Sequence, residues 1–351
     1  MLLFGTKDVI GIDIGTSSVK LLRIQESKKT FYLKNFGMAK LPRETIVNGV
    51  VINADSVIEA IRNLISHLNI KVKNVVLSIS GHPVIVKKIS LPVMSDEQLE
   101  ESIQFEVQQY IPFDLEEVNI DFQILGLDEE KKDQMNVMLV AAKKAVVNEY
   151  INLISAAGLN TVIVDIDVFA LENMFEFNYP VEENKNLALI DIGASGIHIN
   201  ILRGGVSTFT RDVSIGGHQI TEDIQKQMNI TYDQAESLKL GKELEVIKPE
   251  GINTIIQKSS LSIVNEIQRS LDFFISQTSH EVHKIYLSGG VVKTANVVSL
   301  IQEKTGTPAE IVDPLKSIRY SKEDFTPAYL KEMSPFMAVG VGLALRGMNE
   351  R

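Results

Sequence analysis

The stretch Val9–Ile24, VIGIDIGTSSVKLLRI, runs apolar strand, polar turn, apolar strand. Its turn carries Asp13, then Gly15, Thr16, Ser17 and Ser18, then Lys20. Glycine lets the backbone approach a ligand and take conformations closed to other residues. Successive N–H groups in such a turn form a concave anion site. Thr16, Ser17 and Ser18 add hydroxyl donors, and Lys20 can reach a terminal phosphate as a point charge. Asp13 cannot bind phosphate, because like charges repel. Its sensible task is to hold hydrated Mg²⁺, which takes a carboxylate together with waters and substrate phosphates. For one such turn alone, a β-hairpin with a polar tip explains the pattern better.

The chain repeats the pattern about half a length further on. Leu187–Leu202 is LALIDIGASGIHINIL, and with Asp191 set on Asp13 the two stretches align. Ile12, Asp13, Ile14, Gly15 and Ser17 match Ile190, Asp191, Ile192, Gly193 and Ser195, with Ala194 between. This is one duplication, not a solenoid array with a period of about 20–50 residues. Two similar lobes are expected, with the turns clamping a polyphosphate from both sides and Asp13 near the Mg²⁺, through water. Asp191 is the candidate to orient a hydrolytic water. His198 stands where a partner to Lys20 is needed, so only the first turn is expected to offer a permanent cation.

Composition sets the outer bounds. The chain has 351 residues, is 44% hydrophobic and contains no cysteine. It can bury a sizeable core in two or three domains. It has no disulfide or thiolate metal site and suits a reducing compartment. A net charge of −10 argues against nucleic acid and against anionic lipid, both of which favour a basic face. No apolar run approaches the roughly 20 residues that cross a bilayer. Met1–Asp8 has no basic region before its apolar residues, so no signal peptide is expected. A cytoplasmic protein follows, held at a membrane only through a partner.

Alternating elements separate the two turns. Strands are predicted at Val75–Ser80, Val84–Ile89, Val118–Leu127, Asn136–Ala141 and Thr161–Ile166. Ser95 and Gln98 make a capping box for a helix that lines up Leu99, Ile103 and Val107 and ends before Pro112. Lys143–Ala157 is predicted helical, with Gly158 as its left-handed cap. After the second turn come a strand at Val206–Val213, a helix from Gly216-Gly217 to Met228, and a second capping box at Thr231 and Gln234. A long helix then aligns Ile263, Ile267, Leu271 and Phe274. A short strand at Lys284–Leu287 and an Ala- and Gly-rich helix at Phe336–Leu345 complete the series. Glu182–Asn186 is the polar link between lobes.

Three further features bear on a nucleotide. Gly289 and Gly290, after a buried strand, leave room for a flat base or ribose against the backbone. Glu236 and Lys239 share a helix face and can hold ribose and base, although alone such a pair is worth a few tenths of a kcal/mol. Gly216 and Gly217 can present N–H groups to phosphate at a helix start. Other chemistries find no support. There is no G-x-x-x-x-G-K-[ST] loop and no G-x-G-x-x-G fingerprint. The histidines, His280 and His283 included, lack metal-ligand spacing, and no G-x-S-x-G elbow is present.

These elements, in this order, resemble the actin-like ATPase superfamily, in which a nucleotide sits between two lobes. Val84–Phe113, Val137–Asp167, Phe209–Gly217 with Gln219–Thr221, and Asn265–Phe273 narrow the resemblance to type IV pilus assembly proteins of the PilM family. The similarity covers nearly the whole chain. It implies an α/β, actin-like fold, of the duplicated ribonuclease H-like type, with a small inserted α+β domain of SHS2 type. The lobes are expected at 1–83 with 164–186 and a returning 334–351, and at 187–333, with the insert at 84–163. The resemblance also implies an ATP- or ADP-binding, Mg²⁺-dependent scaffold of the pilus assembly platform, with Asp191 as well as Asp13 near the Mg²⁺, through water. Such a scaffold sits at the cytoplasmic face of the inner membrane and binds the short cytoplasmic tail of PilN. The division protein FtsA resembles the chain next best, but FtsA-like chains run on to an amphipathic helix, whereas this one stops at Gly347–Arg351.

A phosphotransferase of the same fold needs a residue to activate an acceptor, and none stands out, so hydrolysis is expected to be slow or absent. A filament-forming protein is the third alternative. The tail is expected between the first lobe and the insert, near Ile111 and Phe113.

Overall fold

A computed structural model of the chain describes residues 8–128, 131–242 and 251–349. Most of Met1–Asp8, and the end of the Gly347–Arg351 stretch, lie outside the described residues. Two sheets carry the duplication. In the first, Ile10–Ile14 pairs antiparallel with Ser18–Ser27 and parallel with Asn74–Ile79. In the second, Asn186–Ile192 pairs antiparallel with Ile197–Arg203 and parallel with Lys284–Ser288. The register repeats as well: Asp13 lies opposite Lys20, and Asp191 opposite His198. These central strands are apolar on both faces, as strands covered on both sides must be. Ile10, Ile12, Ile190 and Ile192 are all buried.

The first sheet has six strands, with Asn160–Ile166 at one edge and Arg319–Tyr320 at the other; the second has five. Between the sheets run two helices, Asp167–Asn178 and Ala338–Asn349, in close contact. Their crossing explains Gly342 of the second helix. A Cβ on Gly342 would lie 1.7 Å from the Ala170 carbonyl oxygen, and one on Gly11 would lie 2.5 Å from that of Gly340. Only bare backbones approach so closely.

The insert is a three-stranded antiparallel sheet, Val84–Pro92, Gln134–Lys143 and Val118–Leu127, in that order, covered by the helix Asp96–Val107. The capping boxes at Ser95 and Thr231 both form. Leu99, Ile103 and Val107 point into the insert's own core.

Two boundaries differ from the sequence expectation. The insert, expected to reach 163, ends at Lys143. The following helix, Lys144–Ala156, buries Tyr150, Leu153 and Ile154 with Val57, Ile61 and Leu64 of the first lobe. Asn160–Ile166 then joins the first sheet beside Asn74–Ile79. The final return to the first lobe, expected at 334, begins near Val312. Val312, Leu315 and Ile318 bury with Leu33 and Phe36, and Arg319–Tyr320 pairs with Thr30–Lys40. Local pattern identifies a helix or strand, but not the sheet that receives it.

The crossing yields a paired test. Gly342→Ala is expected to cost about 2–3 kcal/mol of stability, because overpacking must push the helices apart. Gly340→Ala, whose Cβ would meet Leu22 Cβ at an ordinary 3.5 Å, should be neutral or slightly stabilising, by up to about 1 kcal/mol. Urea denaturation of the two variants measures the difference.

Candidate functional site

The two turns close in the same way. Gly15 N–H donates to the Ser18 carbonyl at 3.1 Å, and Gly193 N–H donates to the Gly196 carbonyl at 2.8 Å. Two cavities open beside them. The smaller, of roughly 140 Å³, lies between the turns and reaches Ser78, Gly81, Tyr150, Asp167, His198 and Asp212. The larger, of roughly 510 Å³, runs from the turns past Arg43, His218, Tyr232 and Phe336. The larger alone falls in the ordinary range for small-molecule sites, about 300–1,000 Å³.

Fifteen of the sixteen residues expected to bind the cofactor line one cavity or both. Asp13, Gly15, Thr16, Ser17, Ser18 and Lys20 do so from the first lobe. Asp191, Gly193, Ala194, Ser195, Gly217, Glu236, Lys239, Gly289 and Gly290 do so from the second.

Gly216 has a different place. A Cβ there would lie 2.5 Å from the Gly193 carbonyl oxygen. Moreover, the N–H groups of Gly217 and His218 donate to the carbonyls of Gly193 and Ala194, at 3.0 and 2.8 Å. The helix start expected to offer free N–H groups to phosphate therefore spends two of them on shaping the second turn.

Lys239 also differs from a free ligand-binding cation. Its Nζ donates to Glu236 Oε2 at 2.6 Å, Thr221 Oγ1 at 2.9 Å and the Gly217 carbonyl at 3.3 Å. An ammonium has three protons, so this buried lysine ties the Tyr232–Lys239 helix to the helix before it. Burial lowers its pKa, against the opposing pull of Glu236. Gly289 takes φ +87°, and a Cβ there would lie 2.3 Å from the Ile192 carbonyl oxygen. Glycine is needed there for conformation and for space.

The floor of the cleft gathers charges that sequence reasoning did not bring together. Lys20 Nζ lies 3.1 Å from Asp13. Asp167, at the start of the first connecting helix, accepts from Ser78 Oγ at 2.5 Å and lies 3.8 Å from His198 Nε2. Asp212 lies 2.8 Å from His198 Nδ1 and accepts from the Gly81 N–H at 2.8 Å. Asp191 accepts from Ser288 Oγ at 2.6 Å. Asp167 and Asp212 were missed because each looks like an ordinary acidic residue, one in a helix first turn and one in a strand. The available signal was the histidine seven residues after Asp191, a buried base in need of carboxylate partners.

Burial pushes the Asp13 carboxyl up to about 6; Lys20 opposes the shift, and Asp167 and Asp191 add to it. Burial also raises Asp191. Burial opposes a charged His198, yet Asp212, then Asp167 and Asp191, push its pKa up to about 10. Burial likewise opposes a charged Asp212, yet His198 holds its pKa below the ordinary value. The second turn thus has a standing cation after all, supplied by a histidine among carboxylates.

These residues fit a Mg-nucleotide. Two carboxylates with raised pKa values favour an added cation, and hydroxyls and Lys20 suit phosphate. Among the described residues, no three or more His, Asp or Glu side chains converge to hold a metal alone. A divalent ion at Asp13 and Asp191 would thus draw its remaining ligands from water and phosphate.

The two partner-facing candidates separate. Ile111 is 6% exposed in the insert's core. Phe113 is half-buried, with Lys143 Nζ 4.4 Å from its ring centroid. Ile111 is therefore no surface contact: its side chain turns into the insert's core while Pro112 stays exposed.

Fold and cleft together define an actin-like protein, two α/β lobes around a cleft lined by the two turns. The chain belongs to the family described as type IV pilus assembly protein PilM, whose profile matches residues 11–348. A solved PilM–PilN type IV pilus biogenesis complex is similar at 28% identity and a TM-score of 0.86, over 97% of this chain and 98% of that one. The cell division protein FtsA of Bacillus subtilis (strain 168) is 22% identical, over 95% of this chain and 82% of its own length. MreB5 of Spiroplasma citri bound to AMPPNP shares the fold at 14% identity and a TM-score of 0.50, over 96% of this chain and 95% of its own. No helix among the described residues is long and apolar enough to cross a membrane.

The histidine gives a pH signature. Its pKa is raised from 6.5 to about 10 in the folded state. The resulting stabilisation is complete below pH 6.5 and is lost as pH rises towards 10. His198→Asn should be about 3 kcal/mol less stable near pH 7, through the unpaired Asp212. It should also lose less stability than wild type between about pH 7 and 10. Urea melts across that range provide the check.

Proposed function

We propose that the chain binds ATP or ADP with Mg²⁺ in its cleft and serves as a nucleotide-loaded scaffold of the type IV pilus assembly platform. The observation that supports this reading is the matched pair of turns, closed by the same hydrogen bond and both lining the two cavities between them. In it, Lys20 and the hydroxyls of Thr16 and Ser17 bind phosphate. Asp13 and Asp191 orient the hydrated metal. Glu236, Gly289 and Gly290 border the ribose and base, with Lys239 fixing the helix that carries Glu236. The ion, when bound, neutralises phosphate charge. Hydrolysis is slow or absent. The acids nearest the turns are already engaged, Asp167 with Ser78 and Asp212 with His198 and Gly81. Asp191 accepts from Ser288 Oγ and keeps its second carboxylate oxygen for a water, an arrangement that favours a scaffold over a phosphotransferase.

The scaffold's partner is the cytoplasmic tail of PilN, which would hold the protein at the cytoplasmic face of the inner membrane. A short tail can add to an open sheet edge as an extended strand. Asn160–Ile166 offers such an edge on the first lobe, with Val162 44% exposed. Beside it, the seam with the insert is apolar through Val84, Val86, Val140, Val146 and Val147. Phe113 remains a candidate contact.

Isothermal titration calorimetry tests the nucleotide site. Asp13→Ala should weaken Mg·ATP more than about tenfold and Lys20→Ala more moderately, each lost charged contact being worth about 1.5–3 kcal/mol. Wild-type affinity in both would overturn the assignment.

A PilN tail peptide tests the partner. Val162→Glu should weaken its binding about tenfold or more and leave nucleotide binding intact, since a charge set against an apolar contact is costly. Cross-links that map beyond Ile190 instead would place the groove elsewhere.

A further inference from the structure

The loop after the Thr30–Lys40 strand is anchored on the first turn: Leu41 N–H donates to the Ser17 carbonyl at 2.9 Å. Two residues on, Arg43 crosses the mouth of the larger cavity to the other lobe. Its guanidinium carbon lies 4.1 Å from the centroid of the Tyr232 ring. Its Nη2 lies 3.0 Å from Glu222 Oε1. The Tyr232 hydroxyl is in turn hydrogen-bonded to His218 Nδ1, which fixes the ring. Glu222 and His218 belong to the Gly217–Met228 helix, and Tyr232 begins the next one, Tyr232–Lys239. One first-lobe side chain thus grips two second-lobe helices at once, over the cavity that Tyr232 and Arg43 both line. A planar guanidinium can stack and ion-pair together, which an ammonium cannot.

We propose that Arg43 is a strap across the cleft that sets how long a nucleotide stays bound. The proposal rests on the nucleotide reading of the cleft. The first turn positions the strap through Ser17 and Leu41, and the strap adds a second tie between the lobes to that of Gly81 with Asp212. An exposed ion pair contributes little by itself. The stack on Tyr232 carries most of the effect, and its removal leaves the phosphate grip and the fold in place.

Stopped-flow release of a fluorescent (mant) ADP tests the strap. Arg43→Ala should release the probe about fivefold faster, the factor expected from loss of a partly exposed cation–π contact. Arg43→Lys should fall between Arg43→Ala and wild type. Because the chain has no cysteine, Arg43→Cys combined with Glu222→Cys can be joined specifically by a short bismaleimide. The joined protein should release the probe at least about tenfold more slowly than the same variant unjoined. Unchanged release in both Arg43→Ala and the joined protein overturns the strap alone. Failure of wild type to bind the probe overturns the nucleotide reading, and the strap with it.

Discussion

The balance of buried charge on the cleft floor is the constraint around which the molecule is arranged. Four carboxylates, from Asp13, Asp167, Asp191 and Asp212, come together beside Lys20 and His198. A buried charge is tolerated only with partners, and here the partners come from different parts of the chain. Lys20 answers Asp13 within the first hairpin. His198, from the second hairpin, answers Asp167 on the connecting helix and Asp212 on the strand beside it. Asp212 then reaches back to the Gly81 N–H of the first lobe. Neither lobe is electrostatically complete without the other, and the two matched turns meet at that shared floor.

The halves match in backbone and differ in chemistry. Both turns follow an Asp-Ile-Gly and close across four residues, but the first carries Thr16, Ser17 and Lys20 where the second carries Ala194, Ser195 and His198. The first turn offers hydroxyl and ammonium donors. The second spends its Gly193 and Ala194 carbonyls on the helix that starts at Gly217. The duplicated backbone thus carries two chemistries: one turn presents donors, and the other is tied to a helix, with a histidine held among carboxylates beside it.

Much of this was legible in the residues. Asp-Ile-Gly twice over marked the two lobes and their matched turns, because the same strand, turn and strand pattern folds into the same hairpin in each sheet. Ser95 with Gln98 and Thr231 with Gln234 marked helix starts through local hydrogen bonds that need no tertiary context. What stayed hidden depends on convergence. Asp167 meets His198 only through the packing of the connecting helices, and Lys144–Ala156 gives no local sign of which sheet it will cover. Ile111 was expected near the tail's groove because the insert's helix was expected to end there, beside the seam, yet the insert's core claims it. Lys239 looked like a ligand because its neighbours in sequence could not show that Thr221 and Gly217 would take its protons.

The base of the insert has one more property. Its incoming and outgoing strands lie side by side: Val84 pairs with Ala142, and Lys143 N–H donates to the Pro83 carbonyl at 3.0 Å. The chain therefore leaves and re-enters the first lobe through one narrow neck. Everything beyond that neck is an interchangeable cassette, which can be lengthened, replaced or trimmed to a tight turn without re-threading a single strand of the lobe. Neither hairpin of the cleft crosses that neck, so the insert can vary while both turns keep their place.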